Sequence, residues 1–384
     1  MNFFKKISES LNKLYTKALM AGGQIMYRRV YRELLQLHPN KNKSGIKEYI
    51  KKWKPLIAWP DRSSFLLFSQ YIGPNPNIVP EDISSSIIQP LLNPIEYRPY
   101  YSDKNCFEKI LSPEDLPKTI FRMIKGGFYH TDYSPIKDLS KDLLNELTSN
   151  LDCIFIKPSV DSSSGHDVYC FKRDSSDKLF CKEIDKSFNL NFLNNYSYQH
   201  KDFIVQKGLL QSSYLSQFNS TSINTLRVAT YKSIKDNKSH VCSIILRIGK
   251  SGTSVDNAHA GGLFVGVERN GQIGKFACDQ FGKRYESFNG INFKNNSYKI
   301  PNFDKVISFA ESIGDKILHH RLIAQDICIK ADGKPCLVEY NIGGFSTWLF
   351  QFTIGPAFGE FTDEIIEYCR HRKKDINKVF IEPF

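Results

Sequence analysis

Phe3, Phe4, Ile7, Leu11, Leu14, Tyr15, Ala18 and Leu19 recur at helical spacing, with Lys5, Lys6, Lys13 and Lys17 mostly between them, and so predict an amphipathic basic helix at the head of the chain. Residues 25–37 and 46–53 continue in helical style around a polar loop at 39–44. Prolines at 74, 76, 80, 90, 94 and 99 then break up regular structure, which predicts a connector over 71–99 rather than a second core. Beyond about residue 100 the texture changes to short runs rich in Ile, Phe, Val and Cys, alternating with single helices. The runs 153–157, 168–171, 203–206, 225–231, 242–248, 262–268, 324–330 and 335–341 predict the strands of a mixed α+β body.

Composition narrows this little. With 384 residues, 41% hydrophobic and 24% charged, the chain is neither disordered, collagen-like nor a coiled coil. No apolar run reaches the roughly 18 residues a membrane span needs. The nine cysteines are scattered without metal or redox spacing, and the first residues lack the apolar core of a signal peptide; both point to a cytoplasmic protein with reduced thiols. A net charge of +12 favours an anionic partner: nucleic acid, anionic lipid or a phosphate-bearing substrate, against the plain alternative of a solvated surface. The basic stretches carry no interleaved stacking aromatics, so specific nucleic-acid recognition is not expected. For the basic N-terminal helix two roles stay open, peripheral contact with a membrane surface and packing on the body of the protein, the second being the plainer.

The chemistry concentrates near the C-terminus. Asp332-Gly333 is a dipeptide suited to a two-residue hairpin turn, in which Ala331 would face Lys334 and Asp326 would stand opposite Glu339. Alternation then puts Leu337, Glu339 and Asn341 on the face of Asp326. Two carboxylates about 4.5–5.5 Å apart at Cβ repel each other, so a positive partner is expected between them. Oxygen donors of this kind suit Mg²⁺; an exposed hairpin with solvated acids is the alternative.

Upstream, Lys157 ends a predicted strand and is followed by the small-residue loop 159–165, a shape that can present N–H and hydroxyl donors to phosphates. It is no Walker loop, since no Gly-Lys-Ser/Thr leads into a helix, and no Gly-x-Gly-x-x-Gly follows a strand. Arg227 and Arg247 fall on predicted strands before a Gly261-Gly262 turn, where they could orient a carboxylate or phosphate.

In this order the pieces resemble the ATP-grasp superfamily, most nearly its sugar-transfer associated family, over roughly residues 95–370. The resemblance implies an α+β ATP-grasp fold: two subdomains, 96–207 (small, lid-bearing) and 208–384 (large, with the metal hairpin), clasping ATP behind a mainly helical region over 1–95. It implies that Lys104 and Lys157 neutralise ATP phosphates and that the loop from Ser159 through Ser162, Ser163, Ser164 and Gly165 is the lid above them. Gln206, Lys207 and Leu209 would form the adenine hinge, with Gln206 where many relatives have Glu. Arg227 and Arg247 would hold the acyl phosphate or incoming substrate beside Asn257, and Asp326, Glu339 and Asn341 would hold Mg²⁺. The implied reaction is a carboxylate–amine ligation through an acyl phosphate, with an amino acid and a sugar as substrates in surface-polysaccharide biosynthesis. A phosphotransferase on the same scaffold, or a basic binding protein that kept the shell, are the alternatives. His259 is a further base candidate, whereas His319 and His320 read as surface residues and Phe350, Phe352 and Phe358 as core.

Overall fold

A computed structural model describes residues 2–160, 166–253, 256, 258 and 261–378, with side chains between Lys13 and Ile376. Three helices open the chain: α1 (Asn2–Leu37), α2 (Ile46–Trp53) and α3 (Arg62–Ile72). The helical pattern noted on either side of Ala21-Gly22-Gly23 is one continuous helix. Asp61 caps α3, accepting from the N–H groups of Ser63 and Ser64 and so satisfying two of the donors that a helix start leaves open.

The proline-rich segment overturns the expected connector. Its residues 81–92 wind into a helical run with a π-turn at Ser84–Ile88, and Ile83, Ile87, Ile88 and Leu92 are buried in the same core as Trp53, Phe65 and Phe68. Pro80 precedes this run, where a missing N–H costs nothing, and Pro90 follows directly on the π-turn. Each fully buried aliphatic or aromatic side chain here stabilises the fold by about 1.5–3 kcal/mol.

Two antiparallel sheets follow. The first contains β1 (Thr119–Ile124), β2 (Gly127–Tyr129), β3 (Pro135–Ile136), β4 (Cys153–Pro158), β5 (Tyr169–Arg173), β6 (Leu179–Cys181), β7 (Lys186–Ser187) and β8 (Phe203–Lys207), in the order β3-β2-β1-β8-β4-β5-β6-β7. Its apolar face, Phe121, Ile154, Ile156 and Val205 among others, packs with Leu144, Leu193 and Tyr196 of the helices Lys141–Thr148 and Leu190–Gln199.

The second sheet contains β9 (Leu226–Lys232), β10 (Ser239–Ile248), β11 (Leu263–Val267), β12 (Ile273–Cys278) and β13 (Arg284–Tyr285); the pair β14 (Ser287–Phe288) and β15 (Ile291–Asn292) stands apart, and β16 (Leu322–Ile329) and β17 (Pro335–Asn341) complete the order β13-β12-β11-β10-β9-β16-β17. Leu226, Val228, Leu246, Ile323 and Ile327 face the helix Phe303–Lys316. On the opposite face Ala229, Tyr231, Ile245, Phe264 and Ala324 meet the N-terminal helices together with Phe350, Phe352 and Phe358. Period-two alternation thus divides one sheet between two cores.

His320 is also corrected from surface to interior. It is fully buried, its Nε2 lies 3.1 Å from the Pro94 carbonyl, and burial pushes its pKa down to about 4. His319 stacks on Tyr97 at 3.8 Å.

Candidate functional site

The turn between β16 and β17 differs from the expected one. It has three residues: the Lys330 N–H donates to the Lys334 carbonyl (2.9 Å) and the Gly333 N–H to the Lys330 carbonyl (2.8 Å), with Gly333 at φ +78°. Glycine enters this left-handed region without a Cβ penalty. The pairing therefore starts one residue out of the expected register, with Ile329 facing Pro335 and Ile327 facing Leu337. A bulge at Val338 then absorbs the offset and brings Asp326 opposite Glu339, the expected pair. Leu337 is the casualty of this correction: it turns away from Asp326 and is buried with Ile327.

Arginine supplies the positive charge between the acids. Arg227 of β9 is the direct cross-strand partner of Asp326, and its Nε and Nη2 each lie 2.8 Å from a different carboxylate oxygen. Arg247 of β10 adds Nη1 at 3.0 Å from Oδ2 of Asp326 and Nη2 at 3.1 Å from Asp256. Burial opposes ionisation of Asp326, but the two guanidiniums outweigh it and hold the carboxyl below its ordinary range. At Asp256 burial wins over Arg247 and raises the pKa. Asp256 also accepts from the N–H of Thr225 at 2.9 Å and from its hydroxyl. With side chains 12% and 15% exposed, these arginines are interior groups rather than rungs of a surface ladder.

Two lysines face Glu339, one from a turn and one from the first sheet. Lys104 begins a 3-10 turn whose preceding Asp103 caps the Asn105 N–H, and its own N–H donates to the Ser159 carbonyl beyond β4 at 2.8 Å. Phe107, three residues on, stacks on Tyr340 at 4.7 Å and 17°. Because Tyr340 adjoins Glu339, this stack ties the turn to the metal-type hairpin, and Lys104 Nζ lies 3.6 Å from the Glu339 carboxylate. Lys157 is the last residue but one of β4, opposite Ile204, and is 8% exposed. Burial, reinforced by the Lys104 ammonium and partly offset by Glu339, pushes its pKa down to about 8. Lys104 and Lys157 thus add positive charge on the Glu339 side of the site.

Could the predicted cation set hold Mg²⁺? Among the described residues no group of three His, Cys, Asp or Glu side chains is placed to hold a metal, so the amide of Asn341 must supply the third donor. Its Nδ2 lies 3.5 Å from the Ala324 carbonyl. Glu339 is about one third exposed beside it. Asp326 spends three contacts on arginine, and a carboxylate has about four lone-pair sites. The donors are all hard oxygens, and in chemistry the set fits a hard divalent cation.

The chain matches the description of the sugar-transfer associated ATP-grasp family over residues 85–365, well over half its length. It belongs to that family. The search of curated proteins found no match. Among solved structures it is similar to a D-alanine–D-alanine ligase from Bacillus anthracis (16% identity, TM-score 0.38, covering 72% of this chain and 70% of that one). It is similar also to the D-alanine–D-alanine ligase of Coxiella burnetii (10%, TM-score 0.40, 72% and 59%) and to an ADP complex of N5-carboxyaminoimidazole ribonucleotide synthetase (10%, TM-score 0.36, 64% and 45%). The chain thus spans less than two thirds of the last two proteins.

In this ATP-grasp protein the predicted hinge is partly spoken for. The N–H groups of Lys207 and Gly208 donate to the carbonyls of Lys118 and Cys153, both at 2.8 Å. Gln206 pairs across the sheet with Phe155 and so shares the face of Lys157; its Nε2 donates to the Pro117 carbonyl at 3.2 Å, while its buried Oε1 has no partner among the described residues. A cavity of about 790 Å³ opens beside the hinge, lined in part by Lys207, Gly208, Leu209, Leu210, Lys118 and Asp332. Ser162, Ser163, Ser164, Gly165, Asn257 and His259 lie outside the described residues.

Asp256 was missed by sequence reasoning, although a buried strand arginine requires a counter-charge and this acid precedes Asn257. The contact of Cys153 with Cys170, Sγ to Sγ 3.5 Å, was hidden because the two lie 17 residues apart on neighbouring strands.

Proposed function

We propose that this ATP-grasp protein is an ATP- and Mg²⁺-dependent ligase that joins a carboxylate to an amine through an acyl phosphate. The observation that carries the reading is the meeting of Lys104 with Glu339 at 3.6 Å, beside Lys157 and across from the Arg227–Asp326–Arg247 cluster. In this reading the cations of the Lys104 turn and of β4 bind phosphates while the oxygen donors of β16 and β17 face them, which is the demand of phosphoryl transfer to a positioned acceptor.

In this reading Lys104 and Lys157 bind the nucleotide's phosphates, and Gln206 Oε1 accepts from its base. A magnesium ion held by Glu339, Asn341 and Asp326 supplies charge neutralisation at the phosphates when bound. Arg227 and Arg247 each keep N–H donors beyond those given to Asp326 and Asp256, and orient the acceptor carboxylate. The family description supports a sugar-related substrate, and we take an amino acid and a sugar in surface-polysaccharide assembly as the pair. The same reading puts the protein in the cytoplasm, at the inner face of the membrane.

Thermal unfolding with and without Mg-ATP tests the nucleotide site, since ligand at about 100 times its Kd adds about 2.7 kcal/mol. A Mg²⁺-dependent rise that disappears in Glu339→Gln is expected; no rise at millimolar Mg-ATP would overturn the reading. ADP release that needs both a carboxylate and an amine distinguishes ligation from transfer to a lone hydroxyl.

A further inference from the structure

The positive charge of the sequence is concentrated in its first stretch, whose described side chains belong to the N-terminal helical layer. Residues 1–62 hold 14 lysines and arginines against four acids, a net +10, of the +12 carried by the whole chain. The remaining 322 residues are therefore close to neutral, at +2.

The same layer has apolar side chains it does not bury. The inner face of α1, including Tyr31, Tyr27, Leu34 and Leu35, packs on the N-terminal core. Its outer face repeats at helical spacing in Leu14, Ala18, Ala21 and Ile25, all exposed, with Leu14 67% and Ile25 68% accessible. Tyr15, Met26 and Val30 flank this stripe, also exposed. Beside α1 the guanidinium of Arg28 donates to the Trp59 carbonyl at 2.8 Å, and Trp59 itself is 78% exposed. Lys13, Lys17, Arg29 and Arg32 of α1 are exposed, as are Lys51 of α2 and Lys54 just after it. A helix that needed to bury only one side is thus apolar on two.

We propose that this layer docks on an anionic lipid surface, with the outer stripe of α1 and Trp59 entering the interface and the surrounding lysines and arginines over the headgroups. The inference rests on the membrane part of the reading above and not on its chemistry. Charge alone would suit a nucleic acid equally, but Leu14, Ile25 and an exposed indole gain nothing from a phosphate backbone, whereas they gain burial at the headgroup–acyl boundary. Basic side chains near such a surface add electrostatic attraction that salt weakens. Among the described residues no helix is long and apolar enough to cross a membrane, so α1 would lie in the plane of the interface.

The test is flotation of the full chain with vesicles of phosphatidylcholine alone and of phosphatidylcholine mixed with phosphatidylglycerol. Expected are binding to the mixed vesicles only, weakening with salt, and a fall of about tenfold or more in Leu14→Ser/Ile25→Ser, with a smaller fall in Trp59→Ala. The substituted side chains are exposed, so an unchanged thermal midpoint confirms that the variants fold. No binding to either vesicle, equal binding to both, or full binding by the double serine variant overturns the proposal. So does salt-dependent binding to duplex DNA that outcompetes the vesicles. Because ADP release is measured without vesicles, failure here leaves the ligase reading standing, and the reverse.

Discussion

Arg227 and Asp326 face each other across β9 and β16 as a bidentate pair, Nε to Oδ1 and Nη2 to Oδ2 both at 2.8 Å. Two parallel N–H···O bonds fix the plane of the carboxylate as well as its position. Arg247 completes the clamp from β10, one strand beyond β9, so one acid of β16 is gripped by two guanidiniums. Removing one partner leaves a buried charge partly uncompensated. Arg227→Met should therefore lower stability by about 3 kcal/mol, while Arg227→Met/Asp326→Leu recovers a part by removing the stranded carboxylate. Urea unfolding of the two variants checks this; equal losses would show that the pair is not the source.

Lys157 gives a pH signature of known sign. Burial pushes its pKa down to about 8 in the folded chain, against 10.5 for a lysine in water. Between these values the unfolded state binds more protons, so stability rises with pH from about 8 to 10.5, whereas below 8 both states carry the charge and the full cost of burying it remains. The increment is on the order of 3 kcal/mol. Lys157→Met should remove that rise, which the difference between the two stability–pH curves measures.

Gly208 is required by close approach rather than by φ. A Cβ there would lie 2.6 Å from Sγ, 2.8 Å from Cβ and 3.2 Å from the carbonyl oxygen of Cys153. Gly208→Ala should cost about 1–3 kcal/mol and displace the hinge strand. Adding Cys153→Ala removes only the sulfur, so partial recovery is expected; denaturation midpoints of the single and double variants decide.

The legibility of the site followed the range of its interactions. The β16–β17 pairing was readable because the turn residues and strand alternation are local, yet the turn proved one residue longer and a bulge at Val338 repaired the register. That repair depends on what each side of β17 packs against, since Leu337 must reach the core beside Ile327. The helical burial of residues 81–92 was not readable, because proline content reports backbone preference and says nothing of a core that receives the segment from outside. His320 failed as a surface residue for the same reason.

By itself the sequence determined the kinds of elements, the ordered motif set from Lys104 to Asn341 and thereby the family, since these depend on spacing along the chain and on side-chain chemistry. Only the tertiary structure decided that Arg227 and Arg247 close on Asp326, that Asp256 balances Arg247, and that the stack of Phe107 on Tyr340 carries Lys104 to Glu339. Apart from Arg247 and Asp256, nine positions apart across a loop, those contacts join residues 79 to 235 positions apart, through the packing of whole strands and turns, which no local pattern encodes.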